Sequence, residues 1–248
     1  MTFLLGIPVY NEVKFIPIFF EKLLKNLPDE INEIIVINDG STDGSRHALD
    51  EIKTPNRTKI QVIHQYPNQG YGAGIIFLMS MAKEANYDYL ITMDCDLQHQ
   101  VEDLQKFIQE SKEIDVVSGS RYLPESPIAG VDPPPERIEI NKRITAKLNK
   151  TYHFYLTDSF CGFKRYRLKN IQPEVFEEKG YAFPMEFWAY SFYNKLTIKE
   201  IPVARVYVTN DRSFGENLDR HTVRYHYYLR VLKKSDRKFQ LQYQNKTT

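Results

Sequence analysis

A chain of 248 residues, 42% hydrophobic and 26% charged, has room for one large α/β domain or two small ones, and its composition is that of a globular protein. Its formal net charge of +1 gives no global electrostatic case for a nucleic-acid partner. Two cysteines make neither a disulfide framework nor a zinc site, no apolar run reaches the roughly 18 residues of a membrane span, and the N-terminus lacks signal-peptide character, so a reducing, cytoplasmic setting is expected.

The first half alternates strand-like and helix-like segments. Phe3 to Pro8 is a short apolar run ended by proline. Phe15 to Leu27 has apolar residues at helical spacing. Ile34 to Ile37 is a continuous β-branched run, as in a parallel strand covered on both faces. The turn cluster Asn38 to Ser45 leads into a helix reaching about Lys53, and Ile60 to Ile63 is a third strand. Gly70 opens a helix to about Ala85. Tyr89 to Met93 is a fourth strand, Val101 to Glu110 a helix, and Asp115 to Ser118 a fifth strand. This alternation predicts a mostly parallel, doubly wound sheet.

The second half is less regular. Pro124 to Pro135 reads as an extended loop, and Ile138 to about Phe154 as a basic helix. Asp158 to Lys164 reads as a turn before a strand, Tyr181 to Asn194 as a helix, and Ile198 to Thr209 as one or two strands interrupted by Pro202. Leu218 to Lys234 has the pattern of a basic amphipathic helix, and the polar last dozen residues are expected to fray. No repeat and no linker divides the chain.

In a doubly wound sheet, ligands bind beyond the carboxyl ends of the strands. Tyr10, Asn11 and Glu12 follow the first strand, Asp39 follows the second, Asp94 and Asp96 follow the fourth, and Arg121 follows the fifth. All fall on one edge. Side chains alternate along a strand, so Asp94 and Asp96 at its tip can face the same way. Hard divalent ions such as Mg²⁺ or Mn²⁺ take oxygen ligands and keep positions for phosphate oxygens. The Asp94-Cys95-Asp96 segment therefore suits a metal that holds a diphosphate, with a solvated turn as the bland alternative.

Ile7-Pro8-Val9-Tyr10-Asn11-Glu12, Asn38-Asp39-Gly40-Ser41-Thr42-Asp43-Gly44-Ser45 and Asp94-Cys95-Asp96-Leu97-Gln98-His99 together resemble the family 2 glycosyltransferases of GT-A fold. Gly119-Ser120-Arg121-Tyr122, the Asp158-x-x-Cys161-Gly162-Phe163 segment and Arg212-x-x-Gly215-Glu216 are similar to the polyprenyl-phosphate glycosyltransferases of the dolichol-phosphate mannose synthase type. The resemblance runs from about residue 3 to residue 217. It implies a Rossmann-like domain over 1–217, with a nucleotide-sugar-binding half to 118 and an acceptor-side half from 119. A basic helix and polar tail fill 218–248.

The same resemblance implies the site. Pro8, Tyr10 and Glu12 would hold base and ribose, with Ile37 nearby. Asp39 would accept a hydrogen bond from the base; a capping or Asx-turn role is the alternative. Asp94 and Asp96 would carry Mg²⁺ or Mn²⁺, with Gln98 in support and the Cys95 backbone lining the donor site. His99 has a weaker claim. Arg121 and Arg212 would meet phosphate, and a surface ion pair is the alternative for Arg121. Where the family carries a lysine six residues after that arginine, this chain has Leu218, with Arg220 nearby as a substitute.

The reaction then depends on the acceptor. A polyprenyl phosphate oxygen is already anionic and attacks the anomeric carbon in line, inverting it, with Asp96 and Arg121 acting on charge. A hydroxyl acceptor requires a base, for which Asp158 and Glu186 are candidates, Glu186 on the acceptor side. A nucleotide-sugar-binding protein without turnover is the third reading. The donor would be GDP- or UDP-linked. Lys142, Arg143, Lys147 and Lys150 on one predicted helix, and Arg220, Arg224, Arg230, Lys233 and Lys234 on another, suit a peripheral contact with the cytoplasmic membrane face, or simply solvated faces of core helices.

Overall fold

The computed structural model describes residues 1–52, 58–131, 134–207 and 217–247. Its centre is a seven-stranded sheet of β1 (Phe3–Val9), β2 (Ile31–Asp39), β3 (Lys59–Gln65), β4 (Tyr89–Thr92), β5 (Val116–Ser120), β7 (Lys164–Arg167) and β8 (Ile198–Pro202), in the order β3-β2-β1-β4-β7-β5-β8. Every neighbouring pair is parallel except those made by β7, which runs antiparallel between β4 and β5. β6 (Ile128–Gly130) and β9 (Arg205–Tyr207) form a separate two-stranded ribbon.

Helices cover both faces, as the strand composition requires. Along β1, Leu4 points to one face while Phe3, Leu5, Ile7 and Val9 point to the other. The second face is closed by α1 (Ile16–Asn26), Leu49 of α2 (Ser45–Asp50) and α4 (Leu104–Gln109). The first is closed by α3 (Tyr71–Glu84), α5 (Pro135–Tyr152), α6 (Phe183–Tyr193) and α7 (His221–Thr247). Burial of aliphatic side chains on both sides supplies the main driving force, at roughly 1.5–3 kcal/mol for each fully buried Leu or Ile.

One expectation is corrected here. The polar C-terminal segment does not fray: up to Thr247 it continues α7, which packs on α6 and α5 through Tyr228, Val231, Leu232 and Phe239. Lys238 anchors that end, donating to Glu186 Oε1 (3.0 Å) and pairing with Glu177 (2.9 Å). The basic helices pack on the core and keep charged residues at the surface, as the reading of solvated faces on core helices expects. Arg143 of α5 stacks on Tyr225 of α7 (4.1 Å to the ring centroid), and Arg224 is buried, although Lys142, Lys147, Lys150, Lys233 and Lys234 remain exposed. Among the described residues no helix is long and apolar enough to cross a membrane.

The carboxyl ends of β1, β2, β4 and β5 lie on one edge. Loops there are stitched to each other by side chains. Asn11 N donates to Ser41 Oγ (2.9 Å), Thr42 N to Asn11 Oδ1 (2.7 Å), Glu12 N to Ser45 Oγ (2.8 Å) and Val13 N to Asp43 Oδ2 (3.1 Å). Gly40 is obligatory at the crossing: it sits at φ 69°, and a Cβ there would lie 2.5 Å from Asn68 N.

Candidate active site

A cleft opens at this edge, over β4, β7 and β5. Its walls are Asp94, Asp96, Gln98 and His99 at one end and Arg137, Ile140, Arg224 and Tyr228 at the other, with Arg121, Asn141 and Tyr181 also lining it. It encloses about 150 Å³. Pockets that engulf a drug-sized ligand run to ~300–1,000 Å³, so this one has room for a reacting centre rather than a whole nucleotide sugar.

The acidic end is built after β4, which ends at Thr92 rather than Met93. Asp94 and Asp96 therefore do not share a direction by strand alternation. The loop brings them together instead. Asp96 Oδ1 accepts from Gln98 N (3.1 Å) across Leu97, which adopts a left-handed φ of 62°. Asp94 N donates to His99 Nδ1 (3.1 Å), which makes that nitrogen an acceptor and His99 a buried clamp on the loop. Cys95 buries its thiol among the α1 and α4 residues, so what it can offer the cleft is backbone.

Asp94, Asp96 and Gln98 offer oxygen atoms, the donor type a hard divalent ion takes, to the same cleft. Among the described residues no group of three or more His, Cys, Asp or Glu side chains could hold a metal ion by itself. Such a set leaves most positions to substrate oxygens and water, the mode of Mg²⁺-like ions. Gly162 opposite is shaped to the same end: a Cβ there would meet Asp94 Oδ2 at 2.7 Å and Tyr71 Oη at 2.9 Å. Tyr71 in turn stacks on Tyr181 (6.1 Å, 15°).

Arg121 stands beside this acidic end, but its guanidinium is already paired. Nε donates to Asp158 Oδ2 (2.6 Å) and Nη2 to Asp158 Oδ1 (3.0 Å), a two-point grip. Asn141 Nδ2 (2.7 Å) and Phe160 N (3.2 Å) also donate to Asp158 Oδ1. Glu200 of β8 fixes the turn by accepting from Thr157 N (2.7 Å), Thr157 Oγ1 (2.7 Å) and Asp158 N (2.9 Å). Burial on its own would raise the Asp158 carboxyl, yet the Arg121 charge overrides it and holds the group at about 2. A fully buried carboxylate so acidic is a poor proton acceptor. Asp158 is the buried counter-ion of Arg121 in this arrangement.

Glu186 requires a second correction. It is 2% exposed on α6, does not line the cleft, and accepts from Glu177 N (2.9 Å), Glu178 N (2.8 Å) and Lys238 Nζ (3.0 Å). It fastens α7 to α6 and is not placed to meet an acceptor.

The residues expected to hold base and ribose lie outside the cleft, along the adjoining ends of β1 and β2. Tyr10 is 45% exposed there; Pro8 pairs in register with Ile37, whose side chain is wholly in the core. The Glu12 carbonyl accepts from Phe15 N (2.9 Å) and starts α1. Asp39, 5% exposed, accepts from Gln69 N (2.7 Å) and Gly70 N (2.8 Å) and so ties β2 to the start of α3. Each of its oxygens has a second lone pair. Arg212 lies outside the described residues.

Sequence reasoning did not single out Arg137 or Tyr181, and it placed Arg224 and Tyr228 on a lipid-facing or solvated helix. These residues come from α5, α7 and the segment before α6, far apart in sequence, so no local pattern announces them. Burial first, then the neighbouring Tyr181 hydroxyl, pushes the Tyr228 hydroxyl up to about 12, against the pull of Arg224 and Arg137 nearby.

A mostly parallel sheet with a carboxylate pair after β4 and a cleft at its carboxyl edge defines a Rossmann-like transferase of GT-A fold. The chain belongs to glycosyl transferase family 2, whose model matches residues 5–171. It is 29% identical over 226 residues to an undecaprenyl-phosphate mannosyltransferase of Micrococcus luteus, spanning 88% of this chain and 87% of the relative. It is 26% identical to a polyprenol monophosphomannose synthase of Mycolicibacterium smegmatis, spanning 79% and 74%. It is 27% identical to a UDP-N-acetylglucosamine–dolichyl-phosphate N-acetylglucosaminyltransferase of Methanococcus voltae, spanning 86% and 88%. Among solved structures, glucosyl-3-phosphoglycerate synthase of Mycobacterium tuberculosis bound to UDP superimposes with a TM-score of 0.69 at 14% identity, over 95% of this chain and 80% of that one. At that identity the likeness speaks for the fold. The enzyme is a glycosyltransferase.

Proposed function

We propose that the enzyme transfers a hexose, of mannose or glucose type, from a UDP- or GDP-linked sugar to the phosphate of a polyprenyl phosphate, with inversion at the anomeric carbon. One observation carries the reading: both carboxylates that could serve as a general base, Asp158 and Glu186, are buried and held in ion pairs. A hydroxyl acceptor needs a base. A phosphate monoester with a second pKa of about 6 is already a dianion at neutral pH and needs none. The named relatives from Micrococcus luteus and Mycolicibacterium smegmatis favour the same class of acceptor.

The charge pattern of the cleft supports this division of labour. Arg121 is balanced by Asp158. Asp94, Asp96, Arg137 and Arg224 also line the cleft. Asp94 and Asp96, with Gln98, would hold Mg²⁺ or Mn²⁺, which neutralises charge building on the departing nucleotide diphosphate. Solved neighbours crystallised with Mn²⁺ agree with a divalent ion there. Tyr10, Glu12 and Asp39 would seat the base and ribose, and Arg121, held rigid by Asp158, would face the diphosphate. Arg212 would add to phosphate binding. Arg137 would hold the acceptor phosphate for in-line attack, most of the rate coming from alignment and charge. Ile140, Phe160 and Pro184 offer apolar surface to the first isoprene units. An enzyme with such an acceptor works on the cytoplasmic membrane face, and the exposed lysines of α5 suit that contact.

The test is a donor panel of UDP- and GDP-sugars with nucleotide release measured with and without polyprenyl phosphate. The expected result is release that rises at least tenfold with the lipid phosphate and not with the corresponding polyprenol. Release indifferent to lipid phosphate but driven by a soluble hydroxyl acceptor would overturn the reading, as would binding of a nucleotide sugar without turnover.

A further inference from the structure

A lysine is costly to bury, yet Lys164, the first residue of β7, is 3% exposed. It does not line the cleft. Its Nζ donates to Cys161 O and stands 5.4 Å from the centroid of the Trp188 ring of α6. Burial pulls its ammonium below the usual lysine range; Cys161, Asp158 and Glu200 oppose that pull and Arg121 adds to it. The Cys161 carbonyl shares its peptide unit with the N–H of Gly162. That peptide is trans, so its C=O and N–H point in opposite directions. A carbonyl drawn to the buried ammonium therefore turns the Gly162 N–H away from it. Gly162 itself lines the cleft, next to Asp94. The two carbonyls that follow are also held: Gly162 O accepts from Thr92 Oγ1 (2.7 Å) and Phe163 O from Gly119 N (2.8 Å). Groups from β7, β4 and β5 thus fix three successive carbonyls of one short stretch.

We propose that Lys164 is a positioning residue that turns the Gly162 N–H toward the donor's diphosphate, where it donates a hydrogen bond to a phosphate oxygen. The inference rests on the nucleotide-sugar reading above and not on the choice of acceptor. A backbone amide suits the task because it is a fixed dipole that needs no reorientation as charge builds on the leaving group. Glycine suits it because a Cβ would fill the space in front of Asp94 Oδ2. Holding the carbonyls before the ligand arrives lowers the ordering cost of binding. The Lys164 charge keeps the grip tight, since a charged donor makes a stronger hydrogen bond than a neutral one.

The experiment compares wild type, Lys164→Met and Lys164→Arg. Binding of UDP and of GDP, each with Mg²⁺, is measured by calorimetry from pH 7 to pH 10, with the Gly162 amide resonance followed by NMR and thermal unfolding alongside. In wild type the amide resonance should shift when the nucleotide binds. K164M should bind the nucleotide about 10-fold more weakly or worse and lose that shift. K164R, whose side chain stays charged, should keep both. Wild-type affinity should fall towards pH 10, as the ammonium gives up its proton below the usual lysine range, and K164R should fall less. A merely structural lysine would change Tm and leave nucleotide affinity and the amide shift of folded K164M as in wild type; that result overturns the proposal. So does a wild-type Gly162 amide that ignores bound nucleotide, or a wild type and K164R that lose affinity alike with pH. If K164M does not fold, the wild-type amide shift and the K164R comparison decide. If nucleotide moves the Gly162 amide in a Lys164-dependent way but lipid phosphate is not used, the acceptor reading fails while this assignment stands. If neither nucleotide binds wild type, both fall.

Discussion

Asp158→Asn tests the central electrostatic claim most directly. The substitution keeps size and one acceptor oxygen but leaves the Arg121 guanidinium without its counter-charge. Asp158 is wholly buried, so solvent does not discount the pair. Removing one partner of a buried ion pair costs roughly 3–5 kcal/mol. For a chain of this size that is a fall in Tm on the order of 6–20 °C. The pH dependence gives a second number. The Asp158 carboxyl is lowered from 3.8 to about 2 on folding, a contribution on the order of 2 kcal/mol. A depressed carboxyl stabilises the fold above its unfolded value, so this contribution is complete above pH ~4 and disappears as pH falls towards 2. Urea unfolding of wild type and D158N from pH 7 down to pH 2.5 should show the gap between them narrowing only below pH ~4. The double variant R121Q/D158N, which removes both charges, should be more stable than D158N. A gap that stays constant with pH, or a double variant that shows the simple sum of the two single losses, refutes the argument.

Asp96→Ala should reduce turnover by at least about 100-fold, and chelator should silence the wild type until Mg²⁺ or Mn²⁺ is restored; nucleotide release measures both. Gly162→Ala should lower kcat sharply with a small change in Tm, because the new methyl group meets the mobile ends of Asp94 and Tyr71 and not the core. Glu186→Gln should cost about 1–3 kcal/mol in chemical denaturation, since Lys238 and two backbone amides lose their anion, and should leave the acceptor KM unchanged.

Much of the fold was legible because its signals are local. The β-branched run Ile34–Ile37 and the apolar runs at Phe3 and Tyr89 are buried on both faces, and only a covered strand tolerates such sequences. The same alternation located Asp94, Asp96 and Arg121 on one sheet edge. β7 was harder. Lys164-Arg165-Tyr166-Arg167 is too basic to read as a central strand, yet it sits between β4 and β5. Arg165 reconciles the two by donating to the carbonyls of Phe107, Glu110 and Ser111, where α4 ends. Nor could local pattern show that Asp158 would hold Arg121, or that Glu186 would hold Lys238. Both pairings join residues tens of positions apart and exist only once the sheet is assembled.

The two faces of the sheet are closed by different parts of the chain. One is covered by α1, α2 and α4, all within the first half. The other includes Leu4 and Ile35 from the first strands but also Leu232 and Phe239 from the last helix. During synthesis from the N-terminus, the helices of the α1 face are all available early, while the other face keeps part of its apolar surface bare until α7 has emerged. A ribosome stalled before α7 would therefore present a half-covered sheet that invites chaperones and sticks to its neighbours. The cleft wall formed by Arg224 and Tyr228 would be missing from that same nascent chain, so the cleft is completed in the same step that hides the last greasy surface.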